Sequence, residues 1–202
     1  MALNSPAFLQ RPCWIFDLDG TLTCPVHDFA HMRQALGMAA DADILATVAA
    51  LPQPERMQMM QQLDQLELHY ARLAQPAEGV LHLLVYLHNR GARLGILTRN
   101  SREIALQSLQ TIGAAHFFDP DLVLGRDEAR PKPDPDGIER LLDRWQCPAD
   151  QTVMVGDFRF DLEVGRAAGT ATVHVAPEGA PQWPELTDLK VSSLAGLLNL
   201  MY

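Results

Sequence analysis

The stretch Trp14-Ile15-Phe16-Asp17-Leu18-Asp19-Gly20-Thr21-Leu22-Thr23 decides the fold. The apolar run from Cys13 to Phe16 reads as a buried strand, and it gives way at once to two carboxylates and a glycine turn. In an open α/β sheet the ligand crevice lies beyond the carboxyl ends of the strands, so Asp17 and Asp19 are expected at its edge. Spaced two apart, they can share one face. Taken alone, Asp-x-Asp followed by glycine is also ordinary turn chemistry.

Downstream of Thr23 the pattern is helical for about fifty residues, with no strand in it. Phe29, Met32 and Leu36 fall on one face of a helix over Asp28–Leu36, and Asp41–Leu51 is rich in alanine and leucine. Pro54 suits the first turn of a longer helix reaching about Gln75, with Met60, Leu63, Leu66, Tyr70 and Leu73 at three- and four-residue spacings. This block reads as a helical insert over 24–77, linked through Thr23–Pro25 and Gln75–Gly79 to a core of 1–23 and 78–202. From Gly79 onward helices alternate with short apolar strands at Ala92–Leu97, Asp121–Leu124, Thr152–Val155, Ala171–Val175 and Leu189–Val191. Such alternation predicts an α/β fold, a Rossmann-like three-layer parallel sheet with helices on both faces.

Three of these strands end in polar signatures: Asp17/Asp19, Thr98-Arg99-Asn100, and Gly156-Asp157 with Asp161 four residues on. As neighbours in a parallel sheet they would meet at one edge. Thr98, followed by the amides of Arg99 and Asn100 ahead of a helix, makes a candidate phosphate cradle. Lys132 is one of only two lysines among 16 basic residues, so a compact ammonium at that place is read as chosen, suited to neutralising a phosphate at close range. Asp17, Asp19, Asp157 and Asp161 converging would repel one another unless a cation sat among them, and hard oxygen donors suit Mg2+.

In order and spacing these four segments resemble the haloacid dehalogenase superfamily of phosphohydrolases, over Cys13 to Gly169. The resemblance implies that Asp17 is a nucleophile forming an aspartyl-phosphate and that Asp19 is the general acid/base. Thr98, with Arg99 and Asn100, and Lys132 would hold the phosphate, and Lys132 would steady the nucleophile. Asp17, the backbone carbonyl of Asp19, Asp157 and Asp161 would hold the metal. Phe158 stands where many relatives have serine. The helical insert corresponds to the family's small cap, which makes His27, Asp28 and Arg33 candidates for substrate contact, with His69 and Tyr70 weaker ones and Tyr70 read as core.

The implied activity is a Mg2+-dependent phosphatase acting on a small phosphorylated metabolite. A phosphomutase uses the same two aspartates and differs in the phosphoryl acceptor, and a non-catalytic phosphate-binding module is the third reading. Asp19 argues against a dehalogenase, and the lack of lysine between Cys24 and Glu78 argues against a Schiff-base relative.

A chain of 202 residues allows one sizeable core with a small insert. Its net charge of −9 opposes a nucleic-acid or anionic-membrane surface, which needs basic stripes. Met1–Pro12 lacks the pattern of a secretory signal, and Val80–Leu87 is too short to span a bilayer, so a cytoplasmic protein, monomer or homodimer, is expected. Cys13, Cys24 and Cys147 suggest neither a zinc site nor a disulfide framework; Cys13 reads as core filler and Cys24 as a spectator.

Overall fold

The structure is a computed structural model describing residues 6–26 and 28–202. Among the described residues six parallel strands form one sheet: β1 (Cys13–Phe16), β2 (Arg93–Leu97), β3 (Val123–Leu124), β4 (Thr152–Gly156), β5 (Ala171–Val175) and β6 (Leu189–Val191), in spatial order β3-β2-β1-β4-β5-β6. β1 is central because both of its faces are apolar. Trp14 and Phe16 enter one core cluster, Cys13 and Ile15 the other, and all four side chains are buried.

Among the described residues there are eight α-helices: α1 (Phe29–Ala35), α2 (Ile44–Ala50), α3 (Glu55–Leu73), α4 (Val80–Asn89), α5 (Arg102–Thr111), α6 (Asp136–Trp145), α7 (Arg159–Ala168) and α8 (Leu194–Asn199). Apolar residues of α4, α5 and α8 pack on the Trp14 face, and those of α6 and α7 on the Ile15 face. The parallel register sets Phe16 beside Ile96 and Val155, which brings the carboxyl ends of β1, β2 and β4 level with one another.

Helices α1 to α3 have a separate small core of Met32, Leu36, Leu63 and Tyr70. Asp28 and Asp43 cap α1 and α2 by accepting the amides of His31 and Ala46. The two connections run side by side, with the Cys24 amide donating to the Gln75 carbonyl and the Ala77 amide to that of Leu22. Leu73, expected on the apolar stripe, is exposed because α3 ends there and its buried face runs through Leu63, Glu67, Tyr70 and Ala71.

Cys13 is buried in the core as read, and Cys147, which leads into β4 beside β1, brings its sulfur against that of Cys13 across 134 residues. Cys24 is a free thiol.

Candidate active site

The polar strand ends meet at the carboxyl edge. Asp17 follows β1 directly, its amide donating to the Val155 carbonyl at 2.9 Å. Lys132 reaches it from the loop before α6: Nζ lies 2.5 Å from Asp17 Oδ1 and 2.5 Å from Asp161 Oδ1. All three residues are buried. Two glycines make the close approach possible. Gly20 has φ +87°, and a Cβ there would stand 2.5 Å from Asp157 Oδ2; one at Gly156 would stand 2.1 Å from Asp161 Cβ.

Asp17, Asp157 and Asp161 each offer an oxygen within 4.8 Å of the others. Thr21 Oγ1 donates to Asp157 Oδ1 at 3.2 Å. Burial, followed by the charges of Asp17 and Asp161, pushes the Asp157 carboxyl up to about 8. Burial opposed by Lys132 leaves Asp161 at about 6, and the same opposition leaves Asp17 above the usual carboxylate range. For Lys132, burial works against the charge, but Asp161 and Asp17 outweigh it and hold the ammonium above its ordinary value. Three hard oxygen donors, each made reluctant to ionise chiefly by burial, fit a divalent cation such as Mg2+.

The Asp19 carboxylate stands outside that trio and accepts a hydrogen bond from Asn100 Nδ2 at 2.6 Å. Burial, opposed by Lys132 and Asn100, pushes it up to about 6. Thr98 is buried, its hydroxyl accepts the Asn100 amide at 3.2 Å, and Thr98, Arg99 and Asn100 all line the cavity above the strand ends. Arg99 points toward the helices of 29–73: Nη2 is 2.8 Å from Asp43 Oδ2, and its guanidinium lies 5.3 Å from the Phe160 ring centroid.

Over this edge lies a cavity of about 420 Å³, walled by the strand ends on one side and the helices of 29–73 on the other. Arg33 lines it, its Nε donating to the Ala42 carbonyl at 2.9 Å. Asp28 is a helix cap, His69 is exposed, and Tyr70 is buried with its hydroxyl 3.1 Å from His31 Nδ1. His27 lies outside the described residues.

Two residues of the region were missed by sequence reasoning. Glu67 of α3 is buried and lines the cavity, and Arg126 Nη1 pairs with it at 2.8 Å while Nη2 pairs with Asp64. Burial outweighs that pairing and pushes Glu67 up to about 7. The available signal was a carboxylate on the apolar stripe of α3, between Leu63 and Tyr70.

The chain is 35% identical over 107 residues to pyrophosphatase PpaX of Halalkalibacterium halodurans, covering 53% of this chain and 49% of that protein. Thus it spans about half the length of that relative. A hydrolase of Saccharomyces cerevisiae is 28% identical over 194 residues, covering 93% of this chain and 89% of its own. A crystal structure of a predicted phosphoglycolate phosphatase from Haemophilus somnus superimposes with a TM-score of 0.75 at 19% identity, over 96% of this chain and 99% of that one. That likeness concerns the fold. The model of the haloacid dehalogenase-like hydrolases matches residues 14–175, from the first strand of the sheet through its fifth, and the chain belongs to that family.

Proposed function

We propose that this chain is a Mg2+-dependent phosphatase that hydrolyses a small phosphorylated metabolite through an aspartyl-phosphate on Asp17. The observation that carries the reading is the buried Lys132 ammonium held between Asp17 and Asp161 at the mouth of the central strand. Residues 24–77 act as the cap over a core of 1–23 and 78–202, and phosphorylated metabolites, being intracellular compounds, match the expected cytoplasmic setting.

Carboxylate attack on a phosphate dianion is opposed by repulsion. Lys132 lowers that repulsion and favours the ionised form of Asp17, opposing the effect of burial. Asp17, Asp157 and Asp161, with the Asp19 carbonyl, would hold Mg2+, which supplies charge neutralisation at the phosphoryl oxygens. Asp19 protonates the leaving oxygen as the P–O bond breaks and Asp17 Oδ becomes bonded to phosphorus. It then takes a proton from the water that attacks the acyl phosphate, releasing phosphate and free Asp17. A pKa of about 6, near working pH, suits both directions of transfer. Asn100 fixes the carboxylate for that task.

The test is phosphate release from a panel of phosphorylated metabolites, with and without Mg2+, beside Asp17→Asn. Metal-dependent release that disappears in the variant is expected. Release that survives Asp17→Asn overturns the nucleophile, and phosphoryl transfer to a sugar hydroxyl in place of water would identify a mutase.

A further inference from the structure

The leaving-group side of the cavity is built unlike its catalytic edge. Phe158 immediately follows Asp157, and its amide donates to Asp161 Oδ2 at 3.0 Å, so the backbone is fixed and the ring is carried outward. The ring is 51% exposed and lines the cavity. It lies edge-on to Phe160 and to Trp183, with centroids 5.3 and 5.6 Å away. Across the cleft Phe29 of α1 is 52% exposed and lines the same cavity, with Met32 and Leu45 beside it. Large half-exposed rings contributed by both halves of one pocket mark a surface that an apolar ligand face would cover.

Among the described residues, two cations besides Lys132 line the cavity: Arg99, which follows β2 and pairs with Asp43, and Arg33 of α1, whose Nε donates to the Ala42 carbonyl. Asp41 and Glu67 line it as well. Lys132 lies at the catalytic edge with Asp17 and Asp161, so the ring-lined side is left to the leaving group.

We propose that the substrate is a phosphate monoester whose leaving alcohol carries a flat, largely apolar ring, with Phe158 and Phe29 as the residues that select it. This rests on the phosphatase reading above. It sets the chain apart from enzymes whose leaving group carries no ring, such as glycolate or phosphate.

Three esters with leaving alcohols of comparable reactivity make the test: benzyl phosphate, glycerol 3-phosphate and 2-phosphoglycolate, each with Mg2+. kcat/KM for benzyl phosphate is expected to exceed the other two by about tenfold or more, the scale on which an apolar pocket discriminates. In Phe158→Ser, and separately in Phe29→Ala, that ratio falls severalfold, mainly through KM for benzyl phosphate. Both side chains are half exposed, so the variants are expected to keep the fold, which thermal melting checks. Equal or better turnover of 2-phosphoglycolate or glycerol 3-phosphate, or an unchanged ratio in both variants, overturns the selectivity while leaving the phosphatase intact. Absence of turnover with all three esters and with the wider metabolite panel overturns the phosphatase reading itself, and the selectivity with it.

Discussion

Lys132 Nζ stands 2.5 Å from Asp17 Oδ1, and both side chains are buried. Burial raises the Asp17 carboxyl, and the ammonium is the main group that opposes it. Lys132→Met therefore lowers kcat by about a hundredfold to a thousandfold, the range for removing one charge-stabilising donor. Arginine is no substitute, since a planar fork in this buried space cannot place one nitrogen between Asp17 and Asp161. Lys132→Arg restoring more than a tenth of kcat contradicts this account.

Asn100 acts on Asp19 through a single 2.6 Å hydrogen bond. A donor to a carboxylate stabilises its ionised form, so losing it raises the pKa above the value of about 6. A hydrogen bond to a charged group is worth about 1.5–3 kcal/mol, or roughly one to two pKa units. In Asn100→Leu the pH–rate limb belonging to Asp19 is expected to move to higher pH. A limb that stays in place or moves down shows that Asp19 titrates independently of Asn100.

Much of this site was legible because its chemistry is local. The run Cys13–Phe16 is the first strand as read, and Ser101 and Ser193 cap the helices they precede. Asp17, Asp19, Lys132, Asp157 and Asp161 converge because parallel strands align their carboxyl ends. What escaped was long-range pairing. Arg126 meets Glu67 across 59 residues and Cys13 meets Cys147 across 134, and no spacing rule encodes either contact. The start of the second helix shifted from Asp41 to Ile44 because Asp43, one of two aspartates there, takes the capping position. Phe158 read as a lost polar contact, whereas its exposure into the cavity depends on the turn geometry after β4.

Arg126 fastens α3 to the core through Glu67 and Asp64. Arg126→Met leaves the Glu67 carboxyl buried without its cation and is expected to cost about 3–5 kcal/mol where Glu67 is ionised, as for other broken buried pairs. Glu67 sits at about 7 in the folded chain against an ordinary 4.5, so folding takes up a proton between those values. Its contribution is fullest below the lower value and is lost as pH rises through the higher one. Urea unfolding at about pH 5.5 and about pH 8 reads the consequence: Glu67→Gln gains on the parent protein at the higher pH. A parent protein and Glu67→Gln with parallel pH dependence would exclude a buried, proton-binding Glu67.

Metal binding has the opposite pH dependence to metal-free stability. Asp157, held at about 8 by burial and by Asp17 and Asp161, keeps its proton in the metal-free chain at neutral pH. Metal-free stability therefore falls as pH rises from the ordinary carboxylate range through about 8, because the folded state must give up protons it binds more tightly than the unfolded chain. A divalent cation needs those carboxyls ionised and competes with the protons, so its affinity grows over the same window. At a hundred times its dissociation constant a ligand adds about 2.7 kcal/mol, a rise in melting temperature on the order of 5–10 °C for a chain of this size. Thermal melting across Mg2+ concentrations should show a larger shift near pH 8 than near pH 6. Asp157→Asn should flatten the metal-free pH dependence and remove most of the Mg2+ shift together. Equal shifts at both pH values, or a full shift in Asp157→Asn, would place the cation away from Asp17, Asp157 and Asp161.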